Sequence, residues 1–170
     1  RPAAVRSELG ELRALLERCG ARGIDRAFGA ERCERLWGLR RGFSESLKAT
    51  GLKKINEDLV VPRGRLVDLI ALARRLERRT GFPIACFGHA GDGNIHTNLM
   101  VDPELDRAGQ RKLRQALDTL FAQVVAWGGT ISGEHGIGLA KKPWWRLALS
   151  KEARAVHRAI KRALDPEDAL

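Results

Sequence analysis

The sequence predicts an α+β fold in which helices cover an antiparallel, ferredoxin-like sheet. Three observations predict it. β-prone, apolar runs flank Asp92-Gly93, with Phe82-Pro83-Ile84-Ala85-Cys86-Phe87 before it and Leu99-Met100-Val101 after it. That is the pattern of a hairpin closed by a type I′ turn, which needs φ > 0 at both central residues. Residues 64–80 and 103–127 carry apolar side chains at helical spacing. Strand-like and helical segments alternate along the chain, and the hairpin excludes an all-parallel sheet.

Each element follows in chain order. Residues 6–19 read as an amphipathic helix with Leu9, Leu12, Leu15, Leu16 and Cys19 on one side. After a Gly-rich break around Gly20–Gly29, a second helix runs from about Glu31 to Lys48 and contains Leu36-Trp37-Gly38-Leu39-Arg40. Glu57-Asp58-Leu59-Val60-Val61-Pro62 reads as a short strand, ended by a proline that has no N–H to give to a ladder. Residues 64–80 form a basic amphipathic helix, with Leu66, Leu69, Ile70, Ala73 and Leu76 inward, closed by Gly81. Beyond the hairpin, a helix from about Pro103 to Trp127 buries Leu113, Leu117, Leu120, Phe121 and Val124. A final helix at about 150–164 carries His157 on an Arg/Lys-rich surface, where it reads as solvated.

The hairpin carries the chemistry. With Asp92-Gly93 as a two-residue loop, Gly91 faces Asn94, Ala90 faces Ile95 and His89 faces His96. Side chains alternate along a strand, and directly opposed Cβ atoms lie roughly 4.5–5.5 Å apart. One face then carries Phe87, His89, Asn94, His96 and Asn98. The other carries Ile84, Cys86, Gly88, Ala90, Ile95, Thr97, Leu99 and Val101, nearly all apolar, and is expected to pack on the core. Two imidazoles beside two amides are poor core material and good metal-site material. The chain holds four histidines, so two meeting across a tight turn outweigh a reading of them as unrelated surface groups.

A third histidine lies in Gly128-Gly129-Thr130-Ile131-Ser132-Gly133-Glu134-His135-Gly136-Ile137-Gly138, where five glycines mark a sharply bent backbone. Glu134 is a carboxylate ligand type and His135 a general-base type. His89, His96 and Glu134 would supply an N/N/O set to a divalent metal with positions left open, Zn²⁺ first, although Mn²⁺ or Fe²⁺ accept the same donors. Asn98, on the histidine face, is a candidate hydrogen-bond partner for a bound substrate. A hydrolytic zinc enzyme is disfavoured, because no His-Glu-x-x-His helix occurs and His135 follows Glu134 directly.

Composition narrows the classes further. At 170 residues the chain is one domain's worth. Lys+Arg 31 against Asp+Glu 21 gives a formal charge of +10. The arginines are spread along helical segments, there is no Tyr, and aromatic and basic residues do not interleave, so nucleic acid is not the expected partner. The surplus suits an anionic substrate, or the part of the parent protein that this domain covers. Cys19, Cys33 and Cys86 are far apart and odd in number, the pattern of reduced thiols in a cytoplasmic protein. No apolar run approaches the roughly 20 residues needed to span a bilayer.

Gly88-His89-Ala90-Gly91-Asp92-Gly93-Asn94-Ile95-His96 and Gly133-Glu134-His135-Gly136-Ile137-Gly138 resemble the two signature motifs of the FAD-linked oxidases related to vanillyl-alcohol oxidase. More narrowly, they resemble the C-terminal, substrate-binding domain of the D-2-hydroxyacid dehydrogenase branch, with its glycolate oxidase, D-lactate dehydrogenase and D-2-hydroxyglutarate dehydrogenase members. The resemblance runs from about Leu36 to Asp165. It implies oxidation of a small 2-hydroxyacid to a 2-oxoacid, with hydride passed to FAD and His135 taking the hydroxyl proton. It implies an electron acceptor as well, a quinone, a cytochrome or a carrier flavoprotein, and peripheral membrane association as an option for the parent. By residue type alone Arg40 reads as a solvated helix charge; the family's Trp-x-x-Arg segment makes it the group that grips the substrate carboxylate. Ser44, one turn later, is a weaker candidate for the same pocket. Relatives often carry a substrate-binding lysine before the Asp-Val-x-Val-Pro strand, where Asn56 stands here. That departure favours a monocarboxylate such as glycolate or D-lactate.

In that family FAD is held by a separate N-terminal domain with a Gly-rich phosphate loop, and no such segment occurs in these residues. The chain starts in mid-helix pattern and stops soon after Leu164-Asp165-Pro166, so residues 1–170 are expected to be a substrate- and metal-binding domain cut at both ends and inactive alone. A free-standing metal- or ligand-binding module without catalysis is the second reading.

Overall fold

A computed structural model describes residues 2–169. Where the sequence reads as one domain, the chain divides into two compact units, one up to Ser46 and one from Leu47 onward. The first holds α1 (Pro2–Arg18) and all but the last two residues of α2 (Ala30–Lys48), joined by a segment in which Gly20, Gly23 and Gly29 take positive φ. The α1 helix stops one residue short of Cys19. Its stripe of Leu9, Leu12 and Leu16 lines a pocket with Ile24. No residue of α2 is buried.

The second unit runs β1 (Lys53–Val60), α3 (Leu66–Thr80), β2 (Ile84–His89), β3 (Asn94–Val101), α4 (Arg107–Ala126), the short α5 (Gly138–Lys141) and α6 (Trp145–Ala148), and α7 (Lys151–Leu164). Its sheet is antiparallel, ordered β1-β3-β2, so α3 links two parallel edge strands across the inserted β3. That is the split βαβ arrangement of ferredoxin-like folds. Among the described residues a fourth strand does not form; an isolated bridge from Val60 to Thr130 stands at the β1 edge instead. Strand β1 begins four residues earlier than the Glu57–Pro62 run suggests, at Lys53.

Helices α3 and α4 pack on each other, and their buried faces share one core with the sheet. Leu69, Leu72 and Leu76 of α3 and Leu117, Leu120, Phe121 and Val124 of α4 meet Leu59, Ile95 and Leu99 there. Each such side chain contributes roughly 1.5–3 kcal/mol by leaving water. The Phe121 ring stands edge-on to Trp144 at 4.7 Å, and Trp144 Nε1 donates to Asp118 at 2.6 Å. Gly81, in the left-handed conformation, ends α3 as the sequence predicts.

The hairpin turn differs from expectation. Its register places His89 opposite Asn94 and Phe87 opposite His96, so His89 and His96 are diagonal neighbours rather than a facing pair. The loop is Ala90–Gly93, closed by Asp92 N–H on His89 O and Gly93 N–H on Ala90 O. A type I′ turn fails because Gly93 alone of the central pair has positive φ. The Gly93 carbonyl is instead engaged by the Val61 N–H, and a Cβ on Gly93 would lie 2.1 Å from Val61 O. Shifting the register by two residues keeps every side chain on its predicted face. Ala90 alone leaves its face, since it now lies in the turn. Ile95, Thr97, Leu99 and Val101 do face the core.

Candidate metal centre

The sheet face turned away from α3 and α4 carries Asn56 and Asp58 from β1, Asn94, His96 and Asn98 from β3, and His89 from β2. The central strand is flanked on both sides, so Asn94 and Asn98 are buried, while His96 is half-buried and His89 is exposed at the strand end. The Gly-rich loop after α4 brings Glu134 and His135 to the same place. One ligand atom each from His89, His96 and Glu134 lie within 4.8 Å of one another. His89 Nε2 is 3.8 Å from Glu134 Oε1, to which Asn94 Nδ2 donates at 2.9 Å. The His135 ring stacks on His96 with centroids 5.5 Å apart and an interplanar angle of 22°.

Two further observations fit a cation here. The donor set is two imidazoles and a carboxylate, the composition of catalytic zinc sites. His96 Nδ1 is buried with no protein partner, a cost unless another group serves it. Burial holds the His96 imidazole below its ordinary pKa, against the pull of the Asp58 and Glu134 carboxylates, so it favours the neutral, ligating form. Gly133 is required at the junction, because a Cβ there would meet the Asn94 amide at 2.8–2.9 Å.

Asp58, a strand residue by sequence pattern, underlies the loop. It is fully buried, and its Oδ2 accepts the backbone N–H groups of Gly133 at 2.8 Å, Glu134 at 2.6 Å and His135 at 3.0 Å. Burial alone would raise its pKa, but these three donors outweigh it and bring the carboxyl down to about 2. On the opposite face Lys141, also buried, donates to Ile131 O at 2.6 Å and Asp58 O at 3.2 Å, with Glu57 Oε2 3.4 Å away. Burial raises the Glu57 pKa, and Lys141 partly offsets it. The only sequence signal for this pair of tethers was the acidic doublet Glu57-Asp58 in a strand that ends at proline.

The other candidates fall as follows. Asn98 is fully buried, its Nδ2 donating to Ala85 O at 3.0 Å and His96 O at 3.1 Å, while its Oδ1 has no protein partner. Arg40 and Ser44 lie on α2 in the first unit, where Arg40 lines a pocket with Ala27, Cys33, Leu36 and Trp37. Cys86 lies on the core face, its Sγ 3.9 Å from Thr97 Oγ1, and burial pushes its thiol pKa up, which suits a buried thiol rather than a ligand. His157 is exposed, its ring 6.2 Å from that of Trp145.

Fold and site together define an α+β domain in which three side chains able to hold a metal ion converge beside a further histidine. Matching the FAD linked oxidases, C-terminal domain, over residues 1–170, the chain belongs to that family. It is 30% identical over 166 residues to glycolate oxidase subunit GlcD of Bacillus subtilis, covering 98% of this chain and 35% of that protein. A D-lactate dehydrogenase of Anaerostipes hadrus is 28% identical over 79% of this chain and 28% of its own length. A D-2-hydroxyglutarate dehydrogenase of Xanthomonas citri is 35% identical over 77% of this chain and 28% of its own length. The chain thus spans about a third or less of the curated relatives it matches. No helix among the described residues is long and apolar enough to cross a membrane.

Proposed function

We propose that this domain binds substrate and a divalent metal, Zn²⁺ by donor type, in the flavin-dependent oxidation of a small 2-hydroxyacid such as glycolate or D-lactate to its 2-oxoacid. The observation that carries the reading is the convergence of His89, His96 and Glu134 within 4.8 Å, with His135 stacked against His96. When bound, the metal would polarise the substrate's hydroxyl and the flavin, held mainly outside this domain, would accept the hydride from Cα. His135 takes the hydroxyl proton on its imidazole, so the two hydrogens lost by the alcohol leave as a proton and a hydride. His89, His96 and Glu134 hold the cation, and Asn94 keeps the Glu134 carboxylate aimed. Within the second unit the Asn98 amide is a candidate substrate contact; for the substrate carboxylate the family resemblance points to Arg40, whose always-charged, forked guanidinium suits it, and more weakly to Ser44, both on α2. Electrons then pass to a quinone, a cytochrome or a carrier flavoprotein. Free Cys19, Cys33 and Cys86 suit a reducing compartment such as the cytoplasm.

The test is metal content together with D-lactate and glycolate oxidation by a dye acceptor in flavin-loaded protein. His89→Ala and His96→Ala are expected to lose the metal. His135→Ala keeps it and loses about 10²–10⁴-fold in turnover, the usual worth of a general base. Three variants retaining both metal and activity would overturn the assignment. Metal bound by a flavin-loaded protein that oxidises neither acid would favour a binding module.

A further inference from the structure

Asp58 faces His96 directly across the β1–β3 ladder. A fully buried carboxylate is costly unless its oxygens are served, so its partners reveal its work. One oxygen, Oδ2, takes three consecutive backbone N–H groups of a Gly-rich loop whose own side chains are exposed. The other, Oδ1, is buried with no partner, and so is Nδ1 of His96 on the facing strand position. Asp58 therefore bonds the loop that carries Glu134 through one oxygen and stands opposite His96 of the hairpin on the ladder.

We propose that Asp58 is the positioning residue of this metal centre. Oδ2 fixes the backbone from Gly133 to His135, and with it where the Glu134 carboxylate and the His135 ring stand relative to the hairpin. Oδ1 sets a buried negative charge at the ladder position facing His96; a carboxylate beside a ligating histidine raises its basicity. Lys141 braces the arrangement from the other face of β1, so the loop is held at Ile131 and again at Gly133–His135. The inference rests on the reading of His89, His96 and Glu134 as ligands only for its metal half; the hold on the loop stands apart from it. Asp58→Asn tests both halves. An amide can offer one oxygen to the loop, but it has no charge to set opposite His96 or against three N–H groups.

Two measurements on the full chain decide it. The first is amide hydrogen exchange without metal. In the wild type the amides of Gly133, Glu134 and His135 are expected to exchange at least about tenfold more slowly than unprotected amides, and in Asp58→Asn this protection is lost while that of α4 is kept. The second is Co²⁺ titration followed by its d–d absorption bands. Asp58→Asn is expected to bind about 10–100-fold more weakly and with a changed spectrum, the usual cost of removing a group that orients a ligand. Unchanged exchange at these amides, or cobalt binding within twofold of wild type with the same spectrum in a folded variant, overturns the proposal. A wild type that binds no cobalt would sink the metal reading, and the exchange result would still decide the hold on the loop. Should Asp58→Asn not fold, the wild-type amides decide: free exchange at Gly133, Glu134 and His135 overturns the proposal, and protection supports it.

Discussion

His96 and His135 lie face to face, ring centroids 5.5 Å apart and planes 22° from parallel, though one is on the central strand and the other in a loop. Two imidazoles so close disfavour a second positive charge, and His135 is among the groups that lower the His96 pKa. The stack therefore disfavours a charge on His96, the ring proposed to ligate, next to the ring proposed as base.

The titration of His96 follows from its surroundings. Burial is the largest influence and lowers its pKa, while Asp58 and Glu134 pull the other way. In the metal-free chain the His96 imidazole is expected to titrate below the ordinary histidine value, followed by its ¹⁵N shifts. Replacing Asp58 by Asn removes a favourable charge and should lower the midpoint further. A midpoint above the ordinary value, or one that rises in the variant, would contradict this account.

Acid stability should carry the mark of Asp58. The folded chain releases this proton near pH 2, whereas the unfolded chain binds it near 3.8. Between those values the unfolded state holds more protons, so the contribution of Asp58 is complete above about pH 4 and fades as pH falls toward 2. Its size is about 2 kcal/mol, at 1.36 kcal/mol per pKa unit. Urea midpoints of wild type should fall through this window, and Asp58→Asn should flatten that part of the profile. Parallel profiles for the two proteins would rule the linkage out.

The Lys141–Glu57 pair makes a separate claim on stability. Lys141→Met strands a buried carboxylate and two carbonyl oxygens, and is expected to cost about 3–5 kcal/mol. The double change Glu57→Gln, Lys141→Met removes the stranded charge and should recover much of that loss. Urea denaturation of the single and double variants checks it. A double variant as weak as the single one would show that the bonds from Lys141 to Ile131 O and Asp58 O, rather than the ion pair, hold the loop.

Much of the centre was legible because strand alternation is robust. Phe87, His89, Asn94, His96 and Asn98 share a face as the sequence predicts, although the turn is two residues longer than Asp92-Gly93 suggests. An even slip preserves faces and changes only partners, so His89 meets Asn94 instead of His96. The helices were equally readable, since Leu117, Leu120, Phe121 and Val124 keep one period throughout. Asp58 and Lys141 were not. Their partners are backbone groups of a distant loop, and nothing in local periodicity says which oxygen will accept which N–H. The division after Ser46 was hidden for a related reason, as a Leu stripe at helical spacing looks the same whether or not a larger core covers it.

The bridge from Thr130 to Val60 has a further effect. Strand β1 is an edge strand, and unpaired edges invite addition of strands from other molecules. Lys53 and Lys54 guard its first residues with charge, while its far end is covered by the segment from Thr130 to His135. The loop that presents Glu134 and His135 is thus also the sheet's cap, and variants that release it would expose an aggregation-prone edge as well as dismantle a binding site. The proposed chemistry and the cover of the sheet edge fall to the same six residues, which leaves this loop little room to vary for one without answering to the other.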